Sequence, residues 1–422
     1  MSQRWVSRSR VAPVSRSLPK TSVRFSNRHF KLTHYPCVRP LAVEFGAGYD
    51  QENVPLGKRT GGGAPWETRR AMQSAVKSIG DTPRRGFLKH LAAGAGVGLG
   101  ACLAGCRTAG EPQGGTRRKL RAGFSNGGLQ TTWCKLGYDT AMLWGDLLGL
   151  DVVWIDGELN PQEQRNKIEL KVGEPWDFFC VQALQSEILA DPVRQLNKRG
   201  VPVVAIDTLL VEKERLREVG VWVHIAANHV EMAESSTEYL MRRIGGKGKV
   251  IHVGGASAHS GARDRDKGFN RVVKRYQPGV EIVGGGVRWC DWKPEKARDT
   301  FETLLAQARE PIAGAFFHND DMALACYPAL AGTIHQNMVI TAVDGQKEGL
   351  TGIREGKLAA TAVNPTCMIH MLALVVGQFI VRNREQLDDL PLEIPCPCPL
   401  VSKEAGNLDA MFYLSDPKHC LV

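Results

Sequence analysis

From about residue 119 onward the chain alternates between two kinds of hydrophobic pattern. Short runs rich in β-branched residues, such as VPVVAI at 201–206, precede longer segments in which apolar side chains recur at helical spacing. Buried parallel strands are short continuous apolar runs, and the connection between two parallel strands is usually a helix. The repeated strand–helix order therefore predicts an α/β fold with parallel sheets flanked by helices on both faces.

The alternation occurs twice along the chain. One set of strands and helices ends near Asn228, and a second set of comparable length begins after it. Two such halves predict two Rossmann-like lobes with a cleft between them. The predicted first lobe comprises residues 119–228 and 365–393, and the predicted second lobe comprises residues 229–364 and 394–422.

Polar side chains stand where predicted strands end. Asp207 follows VPVVAI, Asp344 follows VITAV, Asn364 follows LAATAV, and Asn319 comes shortly after GAFF. In open parallel sheets, ligands bind beyond the carboxyl ends of the strands. We therefore expect these side chains to meet in the cleft. Asp320 and Asp321, which follow directly, are expected to cap a helix instead.

The segment TPRRGFLKHLAAGAGVGLGACLAGC at 82–106 combines two export signals. An arginine pair resembles a twin-arginine signal, and LAGC resembles a lipobox whose last residue, Cys106, carries lipid after cleavage. The apolar run between them is too short to span a bilayer as a helix. We expect a signal peptide at 72–105 starting at Met72, a tether at 106–118, and a disordered non-native extension at 1–71.

The charge is divided between these parts. The whole chain has a net charge of +10, but residues 1–105 carry +12 and the remainder carries −2. The exported part therefore offers no electrostatic basis for binding nucleic acid. We expect it outside the cytoplasmic membrane, on the periplasmic or cell-surface face, held by a lipid anchor.

The motifs of the exported part resemble those of type I periplasmic sugar-binding proteins of the ribose and galactose kind. The matching motifs, in chain order, are KxxxGFSN, VPVVAID, ARDRDKGF, DWxPEKA, HNDDMALA, VDGQKEG, GKLAATAVNP and LVSKE. This resemblance implies the two-lobe fold, and capture of a monosaccharide or polyol in the cleft. It further implies delivery to the permease of an ABC transporter by a monomer that needs no cofactor or metal and is not an enzyme.

The resemblance also implies a set of ligand-binding residues. Carboxylates, amides and a guanidinium suit the hydroxyl groups of a sugar, and aromatic rings suit its C–H faces. Carried over by motif position, the ligand-binding residues are Trp133, Asp207, Asn228, Arg263, Trp292, Asn319, Asp344 and Asn364. Arg265 is either a further contact or a partner in an internal salt bridge.

Other readings of the sequence remain open or are disfavoured. A sensory role, in which the closed protein engages a membrane kinase or chemoreceptor, would use the same binding step. Hydrolase, zinc-protease and nucleotide-binding motifs are missing from suitable contexts, and an export signal stands where a repressor would need a DNA-binding module. The eight cysteines after Cys106 are expected as structural disulfides or buried thiols, without assigned pairs.

Overall fold

The computed structural model describes residues 118–384 and 390–420. The expected extension, the signal peptide, the lipid-anchor residue Cys106 and the tether up to residue 117 lie outside the described residues. Within the described ranges, no helix is long and apolar enough to cross a membrane. All eight cysteines of these ranges are free thiols, so the alternative of buried thiols applies to most of them.

The strands follow one another at nearly regular intervals along the described chain. In order they are β1 Leu120–Asn126, β2 Leu150–Asp156, β3 Phe178–Val181, β4 Val203–Ile206, β5 Val221–Ala227, β6 Gly248–Gly254, β7 Val280–Ile282, β8 Arg288–Trp289, β9 Gly314–Phe317, β10 Val339–Asp344, β11 Ala360–Val363, β12 Glu393–Cys396 and β13 Leu400–Ser402.

The α-helices connect these strands. In order they are α1 Thr132–Leu148, α2 Pro161–Lys171, α3 Ala190–Lys198, α4 Leu216–Val219, α5 His229–Arg243, α6 Ser260–Val273, α7 Pro294–Gln307, α8 Asp320–Cys326, α9 Lys347–Glu355, α10 Thr366–Arg382 and α11 Leu408–Leu414. Local signals fix several ends: the Thr131 side chain caps α1 by accepting from the Cys134 amide, and Gly149 ends it at φ 67°.

The strands form two separate sheets. The first has the order β12-β5-β4-β3-β1-β2, and all its pairs are parallel. The second has the order β13-β11-β10-β9-β6-β7, with β8 beside β6 and β13 antiparallel at the edge. Helices α1 and α10 pack together beside the first sheet, and α5 packs on the second. The predicted architecture of two α/β lobes is confirmed.

Large aromatic side chains lie in the core of each lobe, among many aliphatic ones. Phe124 and Phe178 in the first sheet are completely buried, as are Phe316 in the second sheet and Phe269 in α6. Burying one such side chain stabilises the fold by roughly 1.5–3 kcal/mol. The short apolar runs of the sequence thus form the buried strands around which both lobes assemble.

Within the described ranges, the chain passes between the lobes three times. It leaves the first sheet after β5, returns between β11 and α10, and leaves again between β12 and β13. The third crossing differs from the predicted boundary at residues 393/394, because Glu393–Cys396 extends the first sheet by pairing with His224–Ala227. Prolines are tolerated in edge strands, which explains how the PCPCP segment can follow this edge before crossing.

Candidate functional site

A cavity of about 410 Å³, including the space open to solvent, lies between the two lobes, beyond the carboxyl ends of strands from both sheets. Its walls are formed by Gly127, Thr131, Trp133, Cys134, Leu159, Gln182, Leu184, Asp207, His259, Arg265, Trp292, Asn319, Asp344 and Asn364. Six of the eight side chains predicted to bind ligand are therefore brought together here. The other two, Asn228 and Arg263, lie outside the cavity walls.

Asp207 stands directly after β4 and is held by hydrogen bonds from three side chains. The amides of Gln182 and Asn364 donate to the carboxylate at 2.7 and 2.8 Å, and Nε2 of His229 donates to the backbone carbonyl at 3.0 Å and lies 3.2 Å from the carboxylate. Burial alone would raise the pKa of Asp207, but the imidazole of His229 and the amide of Asn364 hold it well below its usual range. Asp207 is therefore a carboxylate at neutral pH.

Asp344 at the end of β10 is paired with a buried arginine. Nη2 of Arg265 donates to Oδ1 of Asp344 at 2.8 Å, and the same guanidinium donates to the carbonyl of His318. Burial raises the pKa of Asp344 to about 6, Arg265 opposes this rise, and the charge of Asp207 adds to it. The pair gives the cavity an acceptor and a donor side by side.

The cavity arginine is Arg265 and not Arg263. Arg263 is exposed and donates to the carbonyl of Ala258 at 2.9 Å and to the hydroxyl of Ser186 at 3.1 Å. Residues two positions apart on a helix point about 200° apart, so only one of the two can face the cleft. Of the two roles considered for Arg265, the geometry gives it both, because it forms a buried salt bridge and lines the cavity.

The prediction for Asn228 also differs from the structure. Its side-chain oxygen accepts from the amides of Val230 and Glu231, and so caps helix α5. The residue is exposed, beside the first crossing between the lobes. Asparagine is among the preferred N-cap residues, which accounts for its presence at this strand end without a ligand.

Two tryptophans provide flat apolar surfaces in the cavity. Trp133 and Trp292 are nearly buried, and the ring of Trp292 has Arg265 over its face at 5.6 Å. Gly255 lets this ring approach, because a Cβ at that position would lie 2.3 Å from it. Nε1 of Trp292 has no hydrogen-bond partner among the described residues. Such rings suit the C–H faces of a cyclic polyol.

The residues Gln182 and His259 were not predicted from the sequence. Gln182 directly follows β3, so the rule of strand ends could have found it. Nδ1 of His259 accepts from the Ala262 amide at 3.2 Å and caps α6. Burial lowers the pKa of His259 to about 3, so this neutral ring carries its proton on Nε2. The ring thus adds an N–H donor at the cavity wall.

The donor set of the cavity matches hydroxyl chemistry better than metal chemistry. Within the described ranges, no group of three or more histidine, cysteine, aspartate or glutamate side chains is placed to hold a metal ion. The cavity instead combines carboxylate acceptors with amide, guanidinium and imidazole donors between aromatic rings. This arrangement can bind a molecule with several hydroxyl groups, since each hydroxyl both donates and accepts.

Two α/β lobes with a polar cavity between them define the class of bilobal binding proteins. The chain belongs to the periplasmic binding protein domain family, which matches residues 122–377. The family resemblance inferred from the motifs is therefore confirmed.

Individual relatives are more distant. The ribose import binding protein of Haemophilus influenzae is 23% identical over 256 residues, which cover 61% of this chain and 84% of that protein. The xylitol-binding protein of Mycolicibacterium smegmatis is 24% identical over 299 residues, covering 71% of this chain and 81% of that protein. The crystal structure of a twin-arginine translocation pathway signal protein from Burkholderia phytofirmans superposes with a TM-score of 0.64 at 22% identity. That match covers 70% of this chain and 92% of the other.

Proposed function

We propose that this protein binds a monosaccharide or a related polyol in the cavity between its lobes. The observation that carries the proposal is the pairing of Asp207 and Asp344 with buried donors between Trp133 and Trp292. Carboxylates that accept several hydroxyls and rings that cover C–H faces are the elements a sugar requires. The relatives named for ribose and xylitol support the same class of ligand.

The binding step couples ligand to lobe closure. Contacts from both lobes favour the closed conformation, so a ligand shifts the equilibrium between open and closed forms. We propose that the closed form is then recognised by the permease of an ABC transporter. A membrane sensor as the partner would use the same binding step, and copurification with one or the other after crosslinking separates the two.

We further propose that the protein works outside the cytoplasmic membrane as a lipid-anchored monomer. The twin-arginine motif and the lipobox at Cys106 support this placement, as does the solved relative named for the twin-arginine pathway. Replacing Cys106 by alanine should release the protein from the membrane fraction and abolish incorporation of radiolabelled palmitate. Unchanged labelling of Cys106→Ala would overturn the anchor.

A thermal-shift screen tests the binding function. The purified, ligand-free protein is mixed with D-ribose, L-arabinose, xylitol, myo-inositol and glucose, each at saturating concentration. A ligand at 100 times its dissociation constant stabilises a protein by about 2.7 kcal/mol, which gives a clear shift of the melting temperature. We expect at least one polyol to produce this shift. A folded protein that responds to none of them contradicts the proposed ligand class.

A further inference from the structure

A second cavity of about 630 Å³, including the space open to solvent, lies beside the crossings between the lobes, which form the hinge. We call it the hinge cavity. It is bounded by residues of two crossings between the lobes, by helix α1 of the first lobe, and by the C-terminal segment that includes α11. Residues of these walls are Leu136, Val363, Asn364, Pro399, Leu414 and Cys420. Because both lobes and the crossings contribute to it, its shape depends on how the lobes are arranged.

We propose that the hinge cavity is a second ligand site, which takes a small apolar molecule carrying a hydroxyl group, such as an alcohol or a phenol. Most of the wall is apolar: Leu136, Val363, Met368, Met411 and Leu414 supply aliphatic or thioether side chains. Such a wall favours an apolar body and excludes a sugar, whose hydroxyl groups would lack partners there. The hinge cavity therefore selects a different class of molecule from the cavity between the lobes.

The hydroxyl group follows from two amide side chains in the wall. Gln346 and Asn364 are 3% and 2% exposed, and their side-chain oxygens receive no hydrogen bond from any described residue. Their side-chain nitrogens donate to other groups. Asn364 donates to the carboxylate of Asp207 at 2.8 Å, and Gln346 donates to the backbone carbonyl of Asp344 at 3.2 Å. Unpaired buried acceptors favour an occupant that can donate, and because both oxygens have almost no accessible surface, such an occupant has to turn the amide towards itself.

The same two amides connect the hinge cavity with the cavity between the lobes. Asn364 belongs to the walls of both, and Gln346 holds the backbone of Asp344. A molecule that draws either oxygen towards itself changes the position of an amide that supports a carboxylate of the first cavity. We therefore infer that occupancy of the hinge cavity alters the affinity for polyol, a step that rests on the proposed function.

The direct test uses 4-iodophenol, which combines an apolar ring, one hydroxyl group and an anomalous scatterer. Crystals of the protein are soaked in it, and its affinity is measured in solution beside that of iodobenzene, which lacks the donor. We expect an iodine peak in the hinge cavity and an affinity at least about tenfold above that of iodobenzene. Equal affinities would overturn the assigned ligand class, and ordered water only at the two oxygens would overturn the site.

Substitutions provide matched controls for this experiment. Leu414→Trp fills the hinge cavity from α11, whereas Leu170→Trp places the same ring on α2 at a position that is 85% exposed. We expect Leu414→Trp to abolish 4-iodophenol binding and Leu170→Trp to leave it unchanged. Equal binding by both variants would contradict the location. Because this readout involves no polyol, its failure and a failure of the proposed function are distinguishable.

The coupling is measured with the polyol that gives the largest shift in the thermal screen. Its dissociation constant is determined with and without saturating 4-iodophenol, and again in Leu414→Trp. We expect a change of at least threefold on adding 4-iodophenol to the unmodified protein, and no response in the variant. An unchanged constant in the unmodified protein would overturn the coupling while leaving the second site intact.

Discussion

The two carboxylates of the site hold unusual backbone conformations. Asp207 has φ 60° and Asp344 has φ 108°, backbone angles that residues other than glycine rarely adopt. Each follows a buried strand, and each is held by side chains from another part of the fold. A strained backbone conformation persists only where surrounding contacts hold it in place, and such conformations concentrate at functional sites. The backbone thus supports the assignment of both residues to the ligand site.

Replacing Arg265 by alanine should abolish polyol binding. The substitution leaves Asp344 buried without its partner, and breaking a buried pair destabilises a protein by about 3–5 kcal/mol. Isothermal titration measures the affinity, and thermal unfolding measures the stability. Arg263→Ala is the matched comparison on the same helix; its bonds to Ala258 and, across the cleft, to Ser186 lie at the solvent-exposed surface, so affinity should fall by no more than about threefold. If Arg263→Ala lost more affinity than Arg265→Ala, the sequence-based prediction that Arg263 binds the ligand would be correct.

The ionisation of Asp344 gives a second prediction. Its folded pKa of about 6 exceeds the usual value of 3.8, so the folded state binds more protons than the unfolded state between pH 4 and 6. This group therefore contributes stability at low pH that is lost as pH rises through that window, by up to about 3 kcal/mol.

Comparison with Asp344→Asn isolates that contribution. Buried histidines such as His252, whose pKa is lowered to about 3, oppose it by destabilising the protein on acidification. The quantity to measure is the difference in free energy of unfolding between the two proteins from pH 4 to 7. We expect the advantage of the unmodified protein to shrink as pH rises. A constant difference would show that the pKa of Asp344 is unshifted.

At the scale of elements, the sequence predicts the strands and sheets better than it predicts which side chains of a helix face the cleft. The strand ends are predictable because each buried strand is a continuous apolar run. The carboxyl ends of parallel strands also lie at the same edge of the sheet, so the residues that follow them are brought together. Whether Arg263 or Arg265 faces the cleft depends on where α6 begins, and its cap is a histidine, which is not among the preferred N-cap residues. The third crossing lies a few residues beyond the predicted boundary at 393/394, because β12 is an edge strand containing Pro395, a residue that argues against strands.

The turn after β6 positions Trp292 through a single glycine. A methyl group at Gly255 would lie 2.3 Å from the indole, so Gly255→Ala should displace the ring from the cavity. Overpacking costs typically about 1–3 kcal/mol, and the lost aromatic surface should weaken polyol binding by about tenfold. Isothermal titration checks the affinity. Gly173→Ala, where a methyl group meets nothing within 4 Å, is the control and should bind normally.

For the whole molecule, the contact between the lobes includes hydrogen bonds that involve no ligand. The amide and hydroxyl of Thr132, in the first lobe, donate to Asp321, in the second, at 3.0 and 2.8 Å. On another side of the cleft, the Leu209 amide donates to the hydroxyl of Ser260 at 2.8 Å. The expected helix-capping role of Asp321 is thus replaced by a bond between the lobes. These contacts form only when the lobes meet, so they add to the stability of the closed form.

Asp321→Ala should therefore weaken polyol binding although Asp321 lies outside the cavity walls. Hydrogen bonds to a charged group contribute about 1.5–3 kcal/mol, and losing them from the closed form alone lowers affinity by about tenfold or more. Titration gives the affinity, and small-angle scattering of the ligand-free protein should show a larger radius of gyration. Asp299→Ala, an exposed carboxylate on α7, is the control and should change neither quantity. If Asp321→Ala binds as tightly as the control, closure is governed by the ligand contacts, and the bond between Thr132 and Asp321 only follows it.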